Sequence, residues 1–150
     1  MGFSPWGLLV GLVVLAPNLL LVWFPPTSPV PAARVPRPLG LLERSGQAMC
    51  LVVPVITRPG ELDPWWAPVV MVALISYYAL WARYLHSGRA WVELYRPTLA
   101  VPVPMAVAPV VAFLAAAAWL SNPWIAAAAV VLAAGHIPAA VLIARAATSR

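Results

Sequence analysis

Residues 97–144 form a run of 48 positions without one Asp, Glu, Lys or Arg, and residues 1–33 form a second. No soluble fold wraps such runs in water, because a soluble domain carries about a quarter charged residues. The whole chain has 150 residues, 63% hydrophobic and 9% charged. That balance excludes a disordered chain and a disulfide-built secreted domain, and predicts an all-α integral membrane protein. The formal net charge is +5, but the basic residues are scattered over several loops, so no nucleic-acid partner is expected. All nine basic residues are arginine; with so much Ala, Pro and Val this matches GC-rich coding and a bacterial inner (plasma) membrane. Cys50 has no second cysteine to pair with, and reads as a small buried apolar side chain.

A hydrocarbon core of roughly 30 Å needs about 20 mostly apolar residues per helix. On that measure the chain reads as one membrane domain of five spans, at 5–24, 38–57, 64–85, 104–120 and 123–146. Pro17 and Asn18 should kink the first. Prolines 25, 26, 29, 31 and 36, with Pro38 just beyond, make 25–37 a stiff loop, since proline removes donors and favours extended backbone. The second span must accommodate Glu43 and Arg44; Glu43, Gln47, Cys50 and Pro54 then share one helix face. Asp63-Pro64 and Asn122-Pro123 are helix starts. Residues 89–96 should lie along the membrane surface, with Trp91, Leu94 and Tyr95 opposite Arg89, Glu93 and Arg96. The fourth and fifth spans, joined by a short turn and rich in alanine, should pair as a hairpin. Gly135-His136-Ile137-Pro138 should interrupt the fifth, because Pro138 cannot bond to the carbonyl of Ala134.

Orientation follows from the arginines, which favour the cytosolic side of short loops. With the N-terminus outside and the C-terminus cytosolic, Arg34, Arg37, Arg44, Arg83, Arg89, Arg96, Arg145 and Arg150 fall inside and only Arg58 outside. The tryptophans fit two interfacial belts, Trp6, Trp65, Trp66, Trp119 and Trp124 outer, Trp23, Trp81 and Trp91 inner.

The polar residues of the spans gather toward the cytosolic half. Glu43 is the sharpest, since a charge within a span must be paired, near the edge or protonated. Its neighbour Arg44 faces elsewhere on the helix, so a partner on another helix is implied, with Arg83 or Arg96 at matching depth. Glu43 and His136 are the candidate catalytic acid and base. Asn18, Arg44, Gln47, Arg83, His86 and Arg96 are the candidate binding residues. His86 and His136 sit at different depths, which argues against a shared haem. No phosphate loop, HExxH pattern or nucleophile elbow occurs, so neither a metal nor a cofactor is expected. The expected function is a cytosol-facing polar pocket that binds or modifies an amphiphile, a lipid or isoprenoid. Two other expectations remain: an accessory subunit that braces other membrane protein subunits, or a homo-oligomer, specifically a homodimeric transporter of small solutes.

Overall fold

The computed structural model describes residues 1–30 and 33–148; Pro31, Ala32, Ser149 and Arg150 lie outside the described residues. The chain is built of helical rods laid alternately up and down. α1 (Pro5–Leu15) passes through a 3-10 turn, Ala16–Leu19, into α2 (Leu20–Trp23). Proline at position 17 withholds an amide, so the expected kink is this tightened turn rather than a break. α3 is Arg37–Ile56, α4 is Ala67–His86, α5 is Pro104–Trp119 and α6 is Pro123–Thr148. No strand is assigned among the described residues; Thr98 and Val101 make one isolated bridge.

Four segments are long and apolar enough to cross a membrane: Pro5–Trp23, Arg37–Ile56, Pro64–His86 and Pro123–Ala147. α5 is the short one. Its 16 residues reach about 24 Å at the usual helical rise, less than the roughly 30 Å of a hydrocarbon core. The second span, which carries Glu43 and Arg44, is by contrast a full helix of 20 residues.

The two sequence-expected starts are both built. Asp63 Oδ1 accepts from Trp65 N at 3.1 Å, and a 3-10 turn, Pro64–Trp66, leads into α4. Asn122 Oδ1 accepts from Trp124 N at 3.1 Å, while its Nδ2 donates to Thr57 Oγ1 at 2.9 Å. Asn122 thereby caps α6 and ties it to the end of α3. The same end gathers the start of α1, through Gly2 N to Ile56 O at 2.9 Å, and the start of α4, through Asp63 N to Trp119 O at 2.9 Å. The opposite end collects Arg34, Arg37, Arg44, Arg83, Arg89, Arg96 and Arg145, because every second connection returns there.

Three packing features add to or depart from expectation. α5 and α6 do pack together as the expected hairpin, but α6 packs more extensively still on α3, and α5 lies between α4 and α6. The cause is a pair of glycines. A Cβ on Gly46 would fall 2.3 Å from Leu132 Cα, and one on Gly135 would fall 2.2 Å from Glu43 N. Only hydrogen fits at these positions, so the two backbones touch there. Second, α6 runs unbroken through Pro138; the loss of one backbone hydrogen bond is tolerated where packing holds both sides of the helix. Third, Trp81 is no interfacial anchor. It is only 2% exposed, packed edge-on against Tyr77 and Tyr84, whereas Trp65 is 85% exposed. The start of the proline-rich loop is tied to the bundle: Thr27 N donates to Arg89 O at 3.2 Å, and just before it Tyr84 OH donates to Phe24 O at 2.8 Å.

Candidate functional site

Glu43 has a partner, and it is neither expected arginine. His136 Nδ1 lies 2.7 Å from Glu43 Oε1. The arrangement follows from the sequence: Gly135 presses α6 onto the backbone of Glu43, so the next residue on α6 delivers its imidazole to that carboxylate. With Glu43 ionised, Nδ1–H donates and Nε2 is the ring nitrogen left for a ligand. A carboxylate that orients a histidine in this way fixes its tautomer and supports general acid–base work at Nε2. Both side chains keep about a quarter of their surface accessible, 27% each.

Arg83 and Arg96 are committed elsewhere. Glu93 is 7% exposed, turned inward instead of riding a polar face. The segment expected as an amphipathic surface helix has only a 3-10 turn, Trp91–Leu94. Arg83 Nε stands 3.0 Å from Glu93 Oε2, as an ion pair outside hydrogen-bond alignment. Its other nitrogens donate to Thr98 Oγ1 at 2.5 Å and Glu93 O at 3.0 Å. Arg96 Nη1 donates to Glu93 Oε1 at 3.0 Å. A buried carboxylate held by two guanidiniums is a structural knot, since each of its oxygens already faces a positive charge.

Three cavities adjoin the Glu43–His136 pair. A chamber of about 140 Å³ is lined by both residues together with Asn18, Trp81, Tyr95 and Met105, among others. A groove of about 500 Å³ runs between α1, α3, α4, α5 and α6, with Asn18, Gln47, Tyr77 and His136 as polar points on walls of Leu12, Leu15, Leu51 and Phe113. That volume lies within the roughly 300–1,000 Å³ typical of ligand clefts. A third cavity of about 440 Å³, at the start of α3, is lined by Arg37, Arg44 and Glu43. The three share walls in a definite order. Glu43 belongs to the arginine cavity and the chamber; His136 and Asn18 belong to the chamber and the groove.

The sequence-predicted residues therefore divide. Glu43, His136, Asn18, Arg44 and Gln47 come together around these cavities. Asn18 Oδ1 also accepts from Tyr77 OH at 3.2 Å, which fixes its amide. Arg83 and Arg96 belong to the Glu93 knot, although Arg83 also walls a separate apolar groove between α4 and α5. His86 is exposed at the end of α4 and lines none of the three cavities. Sequence reasoning missed Arg37, Trp81 and Tyr95. Arg37 is seven residues, two helical turns, before Arg44, a spacing that could have marked it. Burial, with the Glu43 carboxylate second, pushes the Tyr95 phenol above its ordinary value, so Tyr95 stays a hydroxyl donor at neutral pH. The only acids and histidine in these walls are Glu43 and His136, and no group of three metal-ligating side chains occurs among the described residues. Comparison with protein-family models, curated proteins and solved structures finds no match to this chain.

Proposed function

We propose that this chain is a multi-pass membrane protein that binds an amphiphile, a lipid or isoprenoid, in a pocket open to the cytosol. The observation that carries the reading is the order of the three cavities. An arginine-lined site, a carboxylate–imidazole pair and an apolar groove follow one another, as the head, linker and tail of an amphiphile do. Arg37 and Arg44 would hold an anionic head, a role the sequence alone shared among Arg44, Arg83 and Arg96. Near a surface, each such charge contributes about 1 kcal/mol toward an anionic lipid. The groove would take the tail, and His136, oriented by Glu43, would be the acid or base if the ligand is modified.

The crowding of arginines at one end supports an N-terminus outside and a C-terminus in the cytosol. The exclusive use of arginine supports a bacterial inner membrane as the setting. A C-terminal reporter active only in the cytosol tests that orientation.

The binding reading is tested by purifying Glu43→Gln, His136→Ala and the Arg37→Ala/Arg44→Ala pair in lipid nanodiscs, with retained amphiphile read by native mass spectrometry. The wild type retains a lipid adduct and the variants lose it. Full retention in all three variants ends the proposal.

A further inference from the structure

The two seams beside α1 are closed unequally. On the α4 side, tyrosine hydroxyls stitch α1 and its continuation along their length. Tyr78 OH donates to Val13 O at 2.9 Å, Tyr77 OH to Asn18 Oδ1 at 3.2 Å and Tyr84 OH to Phe24 O at 2.8 Å. On the α3 side the ties sit at the end away from the arginines. Gly2 N donates to Ile56 O and Ser4 N to Val55 O, each at 2.9 Å, and a Cβ on Gly7 would overlap the carbonyl of Pro54. One turn further along, a Cβ on Gly11 would meet only Cys50 O, at 3.8 Å, and the groove of about 500 Å³ begins there. Its residues divide by element. Tyr77, Phe113 and Leu132, on α4, α5 and α6, are buried and form a floor. Leu12 and Leu19 on the α1 side, and Gln47 and Leu51 on α3, are exposed and form a rim. The groove therefore opens outward between α1 and α3, where a membrane protein meets lipid.

The rim continues the arginine cavity. Arg37, Arg44, Gln47 and Leu51 are all exposed and fall at i, i+7, i+10 and i+14, along one face of α3. Gln47 lies about 4.5 Å deeper than Arg44, the rise of three residues, as the ester oxygens of a phospholipid lie below its phosphate. Midway along the 20 residues of α3, hydrocarbon offers an amide no partner; those oxygens do. Resting on the amphiphile reading above, we infer that the ligand is an anionic phospholipid of the cytosolic leaflet that enters sideways, through the mouth between α1 and α3. Its phosphate stays at Arg37 and Arg44, and one acyl chain turns from the bilayer into the groove, as far as the contact of Gly7 with Pro54. The ligand never leaves the membrane.

The test places the full-length protein in phosphatidylcholine nanodiscs that contain a phosphatidylglycerol with a diazirine on one acyl chain. Illumination attaches the chain to the residues it touches, and peptide mass spectrometry locates them. We expect adducts on Phe113 and Leu132, which are buried and closed to lipid outside the groove, as well as on Ile75, an exposed residue of α4 away from it. Ala16→Trp sets a large ring on the exposed rim; it should remove most floor adducts and leave those on Ile75 unchanged. A phosphatidylcholine with the same diazirine should label the floor about fivefold less, the scale of one arginine's attraction for an anionic lipid, and Ile75 equally. A labelled Ile75 with a bare floor, while native mass spectrometry still finds the phosphatidylglycerol retained, overturns sideways entry and leaves the amphiphile reading standing. Floor adducts undiminished in both Ala16→Trp and Leu51→Trp put the way in elsewhere, with the same consequence. Equal floor labelling by the two lipids overturns the anionic head. A bare floor with no retained lipid ends both the inference and the reading beneath it. The wild type alone decides whether the floor is reached, so the result does not depend on any variant folding.

Discussion

Two glutamates lie in this molecule near the same end of the bundle, and they are treated in opposite ways. Glu93 is buried and doubly charge-paired: two arginines meet its two oxygens, and one of them also binds Thr98 and the Glu93 backbone. Glu43 is half-buried and engaged by a single imidazole, with cavities on both sides of it. The first arrangement leaves nothing for a ligand and pins the loop after α4 to that helix. The second leaves both side chains partly accessible beside cavities. The difference teaches that depth and charge alone do not mark a site in such a chain; a single partner and an accessible side chain beside a cavity do.

The comparison can be broken first at its structural side. Glu93→Gln strips the charge from a site with two guanidiniums, and loss of one partner of a buried pair costs about 3–5 kcal/mol. Thermal unfolding in detergent should show the largest drop of any single polar substitution here, and an unchanged transition would mean the knot is solvated. Next in size is Gly135→Leu. It forces a branched side chain onto the backbone of Glu43, and overpacking of this kind costs about 1–3 kcal/mol. It should also part the Glu43–His136 pair, so amphiphile retention falls along with stability; retention at the wild-type level would show that the pair is not needed. Arg44→Ala comes third. Its side chain is exposed, so stability should move by less than about 0.5 kcal/mol. Binding of an anionic amphiphile should weaken about fivefold, by about 1 kcal/mol, and become less sensitive to salt; binding independent of salt in the wild type would remove the arginines from the site. The smallest effect is expected from His86→Ala, within about 0.5 kcal/mol in stability and none in binding. A clear loss of binding there would extend the site to the end of α4.

Much of the scaffold was legible. Uncharged runs marked the helical rods, and Asp63, Asn122 and Pro17 marked their starts and the bend, because capping and proline chemistry are local. Glu43, His136, Asn18, Arg44 and Gln47 were also legible as a group, from depth along helices of known rise. What was hidden is non-local. Nothing near Glu93 says that it turns inward; that depends on Arg83 and Arg96 converging from two segments. The pairing of α3 with α6 depends on Gly46 and Gly135, 89 positions apart, whereas the alanine runs pointed only to the α5–α6 hairpin, which forms as well. Trp81 was read as an anchor because indoles favour interfaces, yet Tyr77 and Tyr84 enclose it. The expected break at Pro138 failed for the same reason, since tertiary packing overrode a local rule.

The account turns on whether Glu43–His136 is a ligand site or only a staple between α3 and α6. Melting temperature and retained amphiphile, measured on the same nanodisc samples of Glu43→Gln and Glu93→Gln, separate the two. Glutamine can still bond to His136, so Glu43→Gln should melt within about 3 °C of the wild type, the shift that roughly 1 kcal/mol produces, and lose its amphiphile. Glu93→Gln should melt far lower. A Glu43→Gln protein that melts as low as Glu93→Gln while keeping its amphiphile would make Glu43 a second structural knot, and the proposed site would not exist.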